Sequence, residues 1–158
     1  MRKTVVGTGL ATAVAAVAGS AASGAGVRDW YMTIRKPRYV PPNAVFPIAW
    51  TALYADIAVT SAAAINRFRD DGQQRKARAY VAALGANLVL NAGWSWIFFA
   101  KHRLGLSAVV AGALALSSAD LARRAGDADP GLAAALVPYP LWCGFATVMS
   151  ADIWRLNR

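Results

Sequence analysis

Charge is scarce in this chain. Lys, Arg, Asp and Glu make up 16% of its 158 residues, against about a quarter in an ordinary soluble domain. With 57% of the residues hydrophobic, the composition is unlike that of an ordinary soluble domain and reads as a membrane protein. Cysteine and histidine are nearly absent: Cys143 and His102 stand alone. One cysteine forms no intramolecular disulfide, and the two residues together make no Cys/His metal cluster, so no metal ligand is assigned. Cys143 falls inside an apolar run and His102 at a helix end, an arrangement that argues against a Cys–His catalytic pair. Glycine-rich nucleotide loops and nucleophile–base spacings are lacking too, so no catalytic residue and no required cofactor is expected. The 17 basic residues outnumber the 8 acidic ones, but they sit between apolar runs, where lipid headgroups meet them. No basic stripe appears, and nucleic acid is not an expected partner.

Long apolar runs are what the chain does have. A bilayer's hydrocarbon core takes roughly 20 apolar residues per helix. Runs of that kind predict helices over residues 4–27, 44–66, 79–100, 104–122 and 131–154. The expectation is an all-α integral membrane protein, a multi-pass bundle of five transmembrane helices, with residues 1–158 as one domain. Met1-Arg2-Lys3 before an uncharged stretch resembles the start of a signal peptide, but the stretch is long for one, and a retained first helix is expected. Its alanines and glycines would let neighbouring helices approach closely. Basic residues divide almost evenly between the two sides of such a bundle and assign no orientation.

Residues 28–43 form the longest interruption and read as a lid, with Trp30, Tyr31, Pro41 and Pro42 as its marked residues. The two prolines cannot continue a helix but are tolerated at the start of one. Beyond them Phe46, Trp50 and Tyr54 recur every four residues and give the second helix an aromatic face. Asp56 lies about 200° round the helix from Tyr54; an acid at that depth should face inward, with a hydrogen bond to another helix as its expected role. On the third helix Asn87, Asn91 and Trp94 share a face, and asparagine within hydrocarbon must bond either across helices or to a polar ligand. Pro138 and Pro140 predict a kink in the fifth helix, whose Tyr139, Trp142 and Ala146 share a face. Spacing alone leaves open whether these aromatics bind a ligand or pack helix on helix. Ala82 and Ala86, four apart, suit a close helix contact in a homodimer.

Three blocks carry a resemblance. The pattern W-Y-x4-K-P-x3-P-P-x3-F-P-x2-W-x3-Y from Trp30 to Tyr54, the segment Leu90-Asn91-Ala92-Gly93-Trp94-Ser95-Trp96-Ile97-Phe98-Phe99, and the closing Pro138-Tyr139-Pro140-Leu141-Trp142 with Ile153-Trp154-Arg155 are similar to the TspO/MBR family of tryptophan-rich sensory and translocator proteins. The resemblance implies a five-helix bundle, often dimeric, with a pocket beneath the first loop. That pocket would bind a porphyrin (protoporphyrin IX or haem), another apolar small molecule or benzodiazepine-site drugs. By matched position the ligand residues are Trp50, Tyr54, Asn87, Asn91, Trp94, Tyr139, Trp142 and Ala146, in a pocket expected between the third and fifth helices. A sensor or carrier is the first expectation. The alternatives are a tetrapyrrole transporter or a light-dependent porphyrin-degrading enzyme, in which Trp50 and Trp142 would be the catalytic pair. Three departures stand out: Ala44 where the family has tryptophan after P-P-x, Trp96 where many members have proline, and Ser150-Ala151-Asp152 in place of the sterol-recognition pattern. Cholesterol is accordingly not an expected ligand.

Overall fold

The computed structural model describes residues 2–26 and 30–158, without the side chains of residues 2, 25 and 26. Residue 27, expected to end the first helix, and residues 28 and 29, expected to begin the lid, lie outside the described residues. The chain is a bundle of five membrane-spanning helices and contains no strand among the described residues. In order they are α1 (Arg2–Gly26), α2 (Val45–Asp70), α3 (Gln74–Ser95), α4 (Leu104–Gly126), and a fifth span made of α5 (Pro130–Leu136) and α6 (Pro138–Leu156). Side chains such as Val14 on α1, Ile48 on α2, Val89 on α3 and Leu116 on α4 are exposed. They face the lipid, as a bundle in hydrocarbon requires.

The α2 and α3 helices run past their predicted ends, because hydropathy marks where hydrocarbon stops and not where hydrogen bonding stops. Arg67–Asp70 and Gln74–Arg78 remain helical beyond the apolar runs. The turn between them is closed by Gly72 in the left-handed region (φ 71°) and by the Gln73 N–H donating to the Phe68 carbonyl at 2.7 Å. Asp129 caps α5 by accepting from the Gly131 N–H at 2.7 Å, with Pro130 in the first turn. The fifth span is interrupted at Val137, which keeps helical dihedrals (φ −52°, ψ −39°). Pro138 and Pro140 supply no N–H, so hydrogen bonding lapses there while the helical path continues.

α3 ends in a π-helical turn, Trp96–Ala100, in which the Lys101 N–H donates to the Trp96 carbonyl. The wider turn brings Phe98 and Phe99 beside Trp94: Phe98 stacks on it at 5.2 Å and Phe99 meets it edge-on at 6.0 Å. His102, at φ 54°, ends the turn. Two apolar clusters result. The deeper one gathers Ile57, Phe68, Tyr80, Leu121, Leu136 and Tyr139; the other joins Tyr31 of the lid to Trp94, Phe98, Met149 and Ile153. α1 is peripheral: it packs on α2, α3 and the π-turn, and among the described residues on none of α4, α5 and α6.

Candidate functional site

A polar chain crosses the interior. The Tyr54 hydroxyl donates to Asn91 Oδ1 at 2.5 Å, Asn91 Nδ2 to the Tyr139 hydroxyl at 3.2 Å, Tyr139 to Asn87 Oδ1 at 2.7 Å, and Asn87 Nδ2 to Ser117 Oγ at 3.1 Å. Each donor points the same way, from α2 through α3 and α6 to α4. Asn87, Asn91 and Tyr139 are buried, so every one of these bonds replaces an unsatisfied polar group in a nonpolar interior.

The outer end of that chain opens on a cavity of about 800 Å³, within the range of sites for small molecules. Its inner wall is Phe46, Trp50 and Tyr54 of α2 with Asn91 and Trp94 of α3; Trp50 and Tyr54 lie 5.5 Å apart at 31°. The π-turn adds Phe98 and Phe99, and the lid adds Tyr31. The opposite wall is α1, through Ala16, Val17, Gly19, Ser20, Ser23 and Gly24. Gly19 allows this closeness: a Cβ there would stand 3.2 Å from Ser95 Oγ. Trp96, the residue standing where many TspO/MBR members have proline, ties the two walls by donating from Nε1 to the Ala18 carbonyl at 2.9 Å.

The cavity therefore lies mainly between α1, α2 and α3 and not between the third and fifth spans as expected; among the described residues the fifth span reaches it only through Met149. Of the expected ligand residues, Trp50, Tyr54, Asn91 and Trp94 line it. Asn87 and Tyr139 stand one layer behind, as the continuation of the polar chain. Trp142 packs edge-on against Trp50 at 6.4 Å and Phe46 at 6.0 Å, supporting the aromatic wall from outside the cavity. Ala146 is buried but does not line it. Of the lid residues Tyr31 lines the cavity, whereas Trp30 stacks on His102 at 4.1 Å. Pro41 and Pro42 do not line it, and the Pro42 carbonyl accepts from the Val45 N–H where α2 begins. The α1 wall was not foreseen; its only signal was small residues three to five apart in a run rich in such residues throughout. Asp56 differs from expectation as well. Its Oδ1 accepts from Thr60 on its own helix at 2.8 Å, one turn on, and among the described residues no other helix supplies a partner.

The lid is latched to the end of α6. Asn157 Oδ1 accepts from the Arg35 N–H at 3.0 Å, and its Nδ2 donates to the Arg35 carbonyl at 2.8 Å. The Tyr39 hydroxyl donates to Asp152 Oδ2 at 2.7 Å. Desolvation, that hydrogen bond and the Asp152 charge push the Tyr39 phenol up to about 12. Lys36 donates to the Tyr31 carbonyl and lies 4.5 Å from the centre of the Tyr31 ring. Burial raises the Tyr31 phenol too, keeping it neutral.

Comparison with known proteins agrees with this architecture. The TspO/MBR family model matches residues 8–155. The protein CrtK of Rhodobacter capsulatus is 32% identical over 81% of this chain and 78% of its own length. The tryptophan-rich sensory protein of Cereibacter sphaeroides is 31% identical over 92% and 89%, and the human translocator protein 30% identical over 85% and 78%. With a lidded five-helix membrane bundle and a family match across nearly its whole length, the chain belongs to the TspO/MBR family.

Proposed function

We propose that this protein is a membrane-embedded sensor or carrier that binds a porphyrin, protoporphyrin IX or haem, in the cavity beneath the lid, and that the same cavity accepts benzodiazepine-site drugs. The observation that carries this reading is the pairing of a flat aromatic wall, Phe46, Trp50, Tyr54 and Trp94, with a wall of small residues on α1 across about 800 Å³. A tetrapyrrole offers a broad apolar face and polar edges. Aromatic rings stack on the face, the small residues leave room for the macrocycle's thickness, and Tyr54 and Asn91 meet polar atoms at the edge. The names sensory protein and translocator protein borne by relatives accord with binding rather than chemistry.

The test is titration of the detergent-purified protein with protoporphyrin IX, read by tryptophan quenching and by the porphyrin's own absorbance. Saturable micromolar binding is expected, weakened about tenfold or more in Trp50→Ala and Asn91→Ala and less in Trp142→Ala, which stands outside the cavity. Binding that does not saturate, or that all three variants leave unchanged, would overturn the reading.

A further inference from the structure

At the end of the bundle away from the lid, α1, α2 and α3 part a second time. The groove there measures about 340 Å³ and runs between Gly7 and Ala11 on α1 and Val81, Gly85 and Leu88 on α3, with Arg69 of α2 at its mouth. Glycines hold it open: a Cβ built at Gly7 or at Gly85 meets nothing within 4 Å. A helix loses about 1 kcal/mol by carrying glycine in place of alanine, and here no close packing between helices requires either one. Gly7, Ala11, Val81 and Gly85 are all exposed, so the groove faces the bilayer.

The mouth has more donors than acceptors. Arg69 lies in the last turn of α2, where the helix leaves the hydrocarbon. Its Nη1 donates to Thr4 Oγ1 at 3.2 Å, and Thr4 Oγ1 donates in turn to Asn66 Oδ1 at 2.8 Å. Asn66 Nδ2 is left buried with no acceptor, and no carboxylate pairs with Arg69 among the described residues. Lys3, Arg75, Lys76 and Arg78 add exposed cations at the same end and outnumber its acids Asp70 and Asp71, the second of which pairs with Arg67. A lipid-facing apolar slot with an uncompensated guanidinium at headgroup depth matches an acyl chain below an anionic headgroup.

We propose that this groove is a binding site for an anionic phospholipid, one acyl chain lying between α1 and α3 over Gly7 and Gly85, and the phosphate held by Arg69. The site is separate from the cavity under the lid and does not depend on what that cavity binds. Native mass spectrometry of the detergent-purified protein, with phosphatidylglycerol and phosphatidylcholine of identical chains, tests it. The expected result is several-fold greater retention of phosphatidylglycerol. Arg69→Gln should erase that preference and Arg69→Lys should restore part of it. Gly85→Leu, or Gly7→Leu from the opposite wall, should abolish retention of both lipids while helicity by circular dichroism is unchanged. Equal retention of the two lipids by the unmodified protein would overturn the proposal. So would retention that the filling variants do not alter, or a change in oligomeric state with lipid retention intact, which would make the groove a contact between copies.

Discussion

The cavity's two long walls are built in opposite ways. The inner wall, on α2 and α3, consists of large side chains whose positions are fixed by a hydrogen-bond chain reaching α4 and by Trp142 packed behind Trp50. The outer wall, on α1, consists, apart from Val17, of side chains that are small or missing, on a helix that touches neither α4 nor the fifth span among the described residues. A wall of rings stays put because many partners hold each ring; a wall of alanine, glycine and serine has its shape from the helix backbone. The first kind of wall can recognise a ligand and the second can make room for it.

Cutting the polar chain should have the largest effect on stability. Tyr139→Phe removes the hydroxyl that accepts from Asn91 and donates to Asn87, leaving two buried amide groups short of a partner. A loss of about 1–3 kcal/mol is expected in detergent unfolding. Ser20→Ala on the outer wall should stay within about 0.5 kcal/mol. Equal losses would mean that the two walls do not differ.

Next is Gly19→Leu, which fills the cavity from the α1 side and presses on Ser95. Porphyrin affinity should fall about tenfold or more, with a stability loss of about 1–3 kcal/mol where the new Cβ crowds Ser95, whereas Tyr139→Phe loses stability without filling the cavity. Trp96→Phe removes the bond to the Ala18 carbonyl, worth on the order of 0.6 kcal/mol between helices in a membrane. Hydrogen exchange in the half of α1 nearest the lid should speed up relative to α2. Uniform exchange across both helices would show that Trp96 does not hold the wall.

The smallest effect is expected at the lid, in alkaline titration. A phenol raised to about 12 in the fold favours the neutral, bonded form. The Tyr39–Asp152 bond should therefore be fully present below the ordinary tyrosine range near 10 and be lost as pH rises towards 12. Subtracting the phenolate absorbance of Tyr39→Phe from that of the unmodified protein isolates this titration; a midpoint at or below about 10 would remove Asp152 from the account.

The inner wall was legible in the sequence and the outer wall was not. Four-residue spacing put Phe46, Trp50 and Tyr54 on one face, and similar spacing grouped Asn87, Asn91 and Trp94, because a helix's period is fixed. What spacing could not supply was the partner. Tyr139 follows Asn91 by 48 residues on a helix that begins beyond the proline interruption, and the rotation of that helix takes Trp142 and Ala146 out of the cavity's lining. α1 escaped because a wall made by missing side chains looks like any alanine-rich span. Asp56 was misassigned for a related reason: a threonine one turn along its own helix satisfies one oxygen without recruiting a second helix.

Asn157 grips both backbone groups of Arg35, a residue made 122 positions earlier. As the chain leaves the ribosome, α1, α2 and α3 can insert and Trp30 and Tyr31 can seat on His102 and Phe98, while Arg35 and Tyr39 still lack their partners. The Asp152 and Asn157 anchors arrive only with the final span. A nascent chain halted before α6 therefore has the Trp30–Tyr31 end of the lid seated and its Arg35–Tyr39 end unlatched, so that capture of a ligand beneath a latched lid waits until α6 has been made.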